Sequence, residues 1–295
     1  MAAEIRQPTG EIPRSIGFVL RRLFALWGVH ARMDFIWLTR DLKMCLLWML
    51  ADSVGSVATI TGIWLLSEKF QGIGVWSRAQ IIFLLGYATT VGASVDLFFG
   101  YNVAFISRRL GRGQLDHTLI QPQPIWMALL TEGFSPFSAS IMLLPALGLM
   151  AWSGHRLELA ITAGWLLLLG MSILASVSVV LAFQFLWGSL AFWAPRSAEE
   201  ISTSTSHLMN QLKSYPLDGL SGLLTGALLT GLPVGFVAWY PCRCLLGLET
   251  APFAMLLTPL AALILAALAA YVFKRGRLHY AQVGSQRYSD RGHRG

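Results

Sequence analysis

Apolar residues fill this chain in long blocks, and the short segments between them hold most of its charge. The blocks fall at about residues 44–66, 79–100, 125–152, 159–187, 217–239 and 252–273. At about 1.5 Å of rise per residue, roughly 20 apolar residues cross a hydrocarbon core of about 30 Å, so each block predicts a transmembrane helix. The fourth is ambiguous in length, because no Asp, Glu, Lys or Arg occurs between Glu158 and Arg196. That run is long for one helix and short for two with a turn.

Charge resolves the ambiguity. With six crossings both tails share a side, and that side carries 18 of the 22 Lys and Arg residues; the other side holds Lys69, Arg78, Arg156 and Arg243. Splitting the long run would carry the six basic residues of the C-terminal tail across, against the excess of Lys and Arg on cytoplasmic segments. One long helix is therefore expected, ending in an aromatic belt near Trp187 and Trp193. Both termini are then cytoplasmic.

Two further segments are amphiphilic without being regular crossings. Residues 14–43 mix Phe18, Leu23, Trp27, Phe35 and Trp37 with Arg21, Arg22, Arg32 and Arg40, which suits a helix lying on the inner leaflet. The plainer alternative is a short cytoplasmic helix packed on the bundle. Near the fifth block, Pro233, Gly235 and Pro241 interrupt an apolar stretch whose one charge is Arg243. So apolar a segment between crossings is expected to dip back into the bilayer, with its free backbone groups buried in protein.

The fold class that follows is an all-α membrane protein with six transmembrane helices, an N-terminal interfacial helix and an external re-entrant segment. Residues 1–43 form the tail and interfacial helix, 44–273 the transmembrane domain, and 274–295 a basic cytoplasmic tail. The domain includes a cytoplasmic loop at 101–124 and the re-entrant segment at 233–249. Composition agrees: 55% hydrophobic and 13% charged residues exclude most soluble folds, and 11 Trp with 16 Phe exclude disordered or collagen-like chains. The net charge of +7 sits in tails and loops that flank apolar blocks, so it sets topology and does not form a nucleic-acid surface. Cys45, Cys242 and Cys244 make no even-numbered disulfide framework. A cleaved signal peptide is not expected either, since the first block begins near Met44 behind seven Lys and Arg residues.

Catalytic signatures are missing from the sequence. There is no GxxxxGK[ST] phosphate loop; Gly226 and Gly231 are followed by Leu232 and not by Lys. No HExxH, CxxC or GxSxG occurs, and His30, His117, His155, His207, His279 and His293 are scattered. Neither enzymatic activity, nor a metal site, nor a cofactor bound by this chain is expected.

Ionisable residues inside the blocks are the next candidates, since each costs about 2.5–3.5 kcal/mol on insertion scales unless it faces protein or water. Asp52, Asp96 and Glu132 qualify. Asp52, Gly55, Ser56 and Thr59 share one helix face, which reads as the wall of a translocation path or a subunit interface; the alternative is a carboxyl hydrogen-bonded within the bundle. Asp96 and Glu132 lie within a turn or two of their block ends, where snorkelling is open to them. Gly219, Gly222, Gly226 and Thr230 form a small-residue ridge that allows close helix approach.

The loop between the second and third blocks reads RRLGRGQLDHTLIQP from Arg108. Leu115, Leu119 and Ile120 share a helical face, Asp116 and the arginines stay wet, and Pro122 stops the helix. A short amphipathic helix on the cytoplasmic side suits docking into a groove of a soluble partner; its plainer reading is a solvated loop helix.

This stretch resembles the coupling segment of permease subunits of type 2 ABC exporters, in the two-permease branch, with its G-x-L-D-x-x-L-x-x-P pattern. LPVGFVAWYPCRCLLG from Leu232 is similar to that family's Pro-rich aromatic run, and FKRGRLHYAQVGS from Phe273 to its closing basic element. AFWAPRS from Ala191 and KSYP from Lys213 extend the resemblance, which samples the chain from Arg108 to Ser285. Gln121 departs from the pattern, where a basic residue is common, as do Cys242 and Cys244, where small apolar residues are usual.

The resemblance implies a non-catalytic, six-helix ABC-2 permease of the bacterial inner membrane. It implies a dimer with a second copy or a homologous permease, on two cytoplasmic ATP-binding subunits that carry the ATP and Mg. Carried over by position, Gly113, Leu115, Asp116, Leu119 and Pro122 form the coupling element. The expected cargo is an amphiphilic or hydrophobic compound, cationic if Asp52 faces it. The rival class is a secondary transporter or channel, but no inverted repeat is visible. A membrane-embedded enzyme is the third reading, and it lacks a clustered catalytic set.

Overall fold

The computed structural model describes residues 16–69, 74–104, 106–111, 125–139, 142–251 and 253–283. These residues form helices joined by turns, in the order α1 (Ile16–Arg40), α2 (Leu42–Lys69), α3 (Arg78–Ala104), α4 (Ile106–Gly111), α5 (Ile125–Thr131), α6 (Leu143–Arg156), α7 (Ala163–Ser189), α8 (Pro195–Leu212), α9 (Gly222–Thr230), α10 (Trp239–Leu245) and α11 (Ala254–Val283). Among the described residues three helical stretches are long and apolar enough to cross a membrane: Arg78–Gly100, Ala163–Phe192 and Ala254–Val283. The bent pair Gly222–Thr230 and Val234–Leu245, with 74° between its halves, makes a fourth if it counts as one span.

α3 is the centre of the bundle. Ile81, Phe83, Leu84, Leu85, Tyr87, Ala88 and Val91 are almost fully buried, between α6 on one side and α7 on another. Lipid tails are as apolar as these side chains, so close contact and internal hydrogen bonds hold such a core where exclusion from water cannot. At Gly86 a Cβ would come within 2.7 Å of Met150 Cγ and 3.0 Å of the Ala146 carbonyl, so the glycine lets α3 and α6 touch. The Tyr87 hydroxyl pairs with Ser176 Oγ at 3.0 Å and ties α3 to α7. α7 in turn packs along α11.

Local signals place the helix ends. Ser77 and Gln80 form a reciprocal cap at the start of α3, with Ser77 N–H donating to Gln80 Oε1 at 2.8 Å and Gln80 N–H to Ser77 Oγ at 3.4 Å. Thr162 caps α7 by accepting from Trp165 N–H at 3.1 Å, and Pro195 opens α8 at a position that needs no N–H donor.

Three stretches differ from the sequence expectations. Residues 125–152, expected as one helix, are two: α5 ends at Thr131 and α6 begins at Leu143. At the break, α3 kinks at Gly100 (φ 49, ψ −149), and a Cβ on Gly133 would overlap the Phe99 carbonyl. Ser135 N–H donates to Leu97 O at 3.0 Å across this backbone-to-backbone contact. Glycine at both positions permits what a side chain would block.

Residues 217–239, also expected as one helix, divide into a turn, α9, the bend at Gly231 and Pro233, a short 3₁₀ turn at Val234–Phe236 and the start of α10. The third difference is α8, which occupies a stretch read as loop. Its Glu199 pairs with Arg108 of α4, just beyond the Ala104 end of α3. Past its other end, Asp218 accepts from Trp76, just before the Arg78 end of α3. Residues 195–218 thus run antiparallel to α3 from one end to the other.

α1 rests on the break between α5 and α6. Asp34 accepts from the backbone N–H of Phe137 and Ser138 at 2.8 and 3.2 Å and from Ser138 Oγ at 2.6 Å. Trp27 packs its ring on Phe98 and Phe134. Phe18, Phe24, Met33, Phe35 and Ile36 of the same helix stay exposed.

Candidate functional site

A cleft of about 1110 Å³ opens between α2, α3, α7 and the C-terminal part of α8. Its α2 wall is built from Ala51, Gly55, Ala58 and Gly62, which recur on one helix face. Its α3 wall carries Thr89, Gly92, Ala93 and Asp96; α7 contributes Gln184, and α8 with the residues after it contributes His207, Asn210, Gln211 and Lys213. Among the described lining residues those of α2 are small and apolar, and those of α8 and the turn after it are polar. Gly92 makes room for Lys213, whose Nζ would lie 2.6 Å from a Cβ placed there.

The cleft brings together some of the residues expected from the sequence and leaves others apart. Gly55 and Asp96 line it together. Asp52, Ser56 and Thr59 sit on α2, and their side chains lie outside the described residues. Glu132 is elsewhere: it follows α5 and pairs with Arg109 of α4 at 2.8 Å, each side chain about one-quarter exposed. Gly222 and Gly226 lie on α9, and among the described residues nothing comes within 4 Å of a Cβ placed at either. Gly113, Leu115, Asp116, Leu119 and Pro122 all fall outside the described residues.

α4 leads directly into that stretch. It is held on two sides, by Arg108 to Glu199 of α8 at 2.8 Å and by Arg109 to Glu132. Beneath the ion pairs Ile106 and Leu110 pack with Ile125, Leu129, Phe192, Ala198 and Tyr280 in a separate apolar cluster. Phe192 also meets Phe273 edge-on at 5.4 Å. Gly276 leaves the space that ring fills. α4 is thus in one packed cluster with α8, the end of α7 and α11.

At the far end of α3 lies a polar cluster that the sequence reading passed over. Asp218 Oδ2 accepts from the indole N–H groups of Trp76 and Trp239, each at 2.5 Å, and its Oδ1 pairs with Arg243. Arg243 also reaches Glu249 at 3.4 Å and lies 5.3 Å from the Trp239 ring centroid. The cluster pins α10 to the entry of α3. Its one visible signal was that Asp218 is the sole charge between Lys213 and Arg243.

A helical chain with several helices long and apolar enough to cross a membrane has the build of a multi-pass membrane protein. It matches the family described as ABC-2 family transporter protein over residues 54–284, more than half of its length, and belongs to that family as a permease. Membership implies association with an ATP-binding ABC subunit. No match was found among curated proteins or among solved structures.

Proposed function

We propose that this chain is the membrane subunit of an ATP-driven exporter, moving an amphiphilic or hydrophobic compound outward while a separate cytoplasmic subunit binds and hydrolyses ATP with Mg. The observation that carries this reading is the mechanical continuity from α4 to the cleft. The stretch expected to dock on the ATP-binding subunit begins where α4 ends. α4 is ion-paired to α8, and the other end of α8 forms the polar wall of the cleft. Closure of the ATP-binding subunits pushes Leu115 and Asp116, α4 follows, and α8 moves against α2 and α3, opening the cleft outward at the interface between two permeases.

The same reading keeps six crossings with a changed fifth. They are α2, α3, α5 with α6, α7, α8 and α11, and α9 with α10 forms the re-entrant pair. α8 spans about 27 Å at 1.5 Å per residue, enough for most of a hydrocarbon core. Lys213 moves to the outer half, which still leaves 17 of the 22 Lys and Arg residues inside. Both termini are cytoplasmic, α1 lies on the inner leaflet of a bacterial plasma membrane, and a second permease completes the assembly.

The test is copurification of the chain with an ATP-binding subunit and reconstitution of the pair. Hydrolysis stimulated by the permease, with outward transport, is expected. Leu115→Arg or Asp116→Arg should abolish that stimulation while the permease stays folded. Transport that persists without nucleotide would assign the chain to channels or secondary transporters instead.

A further inference from the structure

A second, smaller groove of about 360 Å³ lies between α5, α7 and α11. Its described lining lies on these three helices, and all of their side chains are among the described residues. Ala182 and Ala269 are buried at its floor, while Ala266 and Ala270 stand exposed along it. Trp126, 46% exposed, forms the α5 wall. The lining hydroxyl of Ser178 is turned back to its own helix, donating to the Leu174 carbonyl at 2.8 Å. The space over the alanines therefore takes an apolar chain.

Phe185 and Phe273, in edge contact at 5.9 Å, mark the end of the groove toward the C-terminus of α11. Past that pair the helix turns basic. The groove line of Ala266, Ala270 and Phe273 continues at Arg277, and Lys274 lies one turn beyond Ala270. Both cations are exposed, and neither makes an ion pair among the described residues. Arg275 is turned elsewhere, its Nε donating to the Tyr271 hydroxyl at 3.3 Å. α11 begins at Ala254, so Ala266 and Phe273 lie about 18 and about 28 Å along it. Against a hydrocarbon core of about 30 Å, the groove falls in the leaflet at the C-terminal end of α11, and Lys274 and Arg277 reach its headgroups. An apolar groove left empty at that depth forfeits the contacts of its lining. An acyl chain supplies them, and a net negative headgroup on the same molecule answers the two cations.

We propose that this groove binds an anionic phospholipid of the surrounding leaflet, with one acyl chain along the alanines and the headgroup at Lys274 and Arg277. A zwitterionic headgroup would bring its own cation to the same place. The inference goes beyond the export reading and needs only that α7 and α11 cross the bilayer.

The full-length protein in phosphatidylcholine nanodiscs is given a trace of phosphatidylglycerol or of phosphatidylcholine, each carrying the same diazirine-bearing acyl chain, and the photolabelled residues are mapped by mass spectrometry. The phosphatidylglycerol probe should label α7 around Ser178 and α11 around Ala270 about tenfold more than its zwitterionic counterpart. Lys274→Gln combined with Arg277→Gln should bring the two probes within about twofold of each other, whereas Arg275→Gln should leave the preference as it was. Ala270→Leu, on an exposed position, fills the groove and should cut labelling there several-fold without changing labelling at Leu263. Equal labelling by the two probes overturns the proposal, as does a loss of preference with Arg275→Gln as large as with the double variant. So does a groove shielded from both probes, whether by a second copy of the chain or by residues 112–124. The labelling is done without nucleotide, so its failure leaves the export reading untouched, and failure of coupled transport leaves this site standing.

Discussion

Beyond the Leu212 end of α8 the chain runs into Asp218, a mostly buried carboxylate serving two indoles and a guanidinium, whereas near the Pro195 end it is held by an Arg108–Glu199 pair whose arginine is 42% exposed. Both ends use an arginine and a carboxylate, yet burial makes them different devices. Solvent screens the exposed pair, so the pair itself contributes little, and the apolar packing of Ala198 with Ile106 and Leu110 does most of the holding at this end. Low dielectric strengthens the buried cluster, and removing its carboxylate strands the indole N–H groups of Trp76 and Trp239 and leaves Arg243 to Glu249. On the export reading proposed above, a push from α4 at the exposed pair would pivot α8 about its Asp218 end.

The largest effect should come from the Asp218 end. Asp218→Ala leaves Arg243, Trp76 and Trp239 without their shared acceptor, and the expected loss is about 3–5 kcal/mol of stability. It should read as a clearly lower melting temperature in detergent. Asp218→Asn keeps one acceptor oxygen and should fall between that variant and the wild type. An Asp218→Ala protein that melts like the wild type would break the contrast.

Gly133→Ala comes next. Its Cβ would overlap the Phe99 carbonyl at the α3 kink, and forcing the two backbones apart should cost about 1–3 kcal/mol. Gly148→Ala, in α6 with open space around it, should cost nothing and is the control in the same melting series. Tyr87→Phe removes the hydroxyl that joins α3 to α7 and should cost about 1 kcal/mol.

The Arg108 end should give the smallest change in stability and the sharpest functional one. Arg108→Ala is expected to shift stability by no more than about 1 kcal/mol. ATP hydrolysis by the assembled complex should nonetheless lose much of its dependence on the permease. Equal losses of stability at Arg108 and Asp218 would remove the basis for calling one end a pivot.

How much of this was legible in the sequence depended on what each helix touches. α3, α7 and α11 stood out because their runs are long and carry at most one charge, Asp96 in α3; for α11 the helix continues past the expected end at residue 273 to Val283. α8 was not legible, because hydropathy scales measure transfer into lipid. This helix carries Glu199, Glu200, His207 and Asn210 and finds its partners in protein and in the cleft. The break after α5 had signals in Gly133 and Pro136, but the reason for it, the backbone of α3 at Gly100, lies 33 residues away in the chain. Asp218 and Arg243 were each visible as lone charges. Nothing in a separation of 25 residues says that they meet.

On the six-crossing reading, the polarity of α8 also constrains how the protein is made. A segment with two glutamates and a histidine has too little transfer free energy to lodge in the bilayer alone. It must enter as the second arm of a hairpin whose first arm, α7, is already seated. A nascent chain halted shortly after residue 212 would let that arm slip back, so the order of translation becomes part of how this topology is secured.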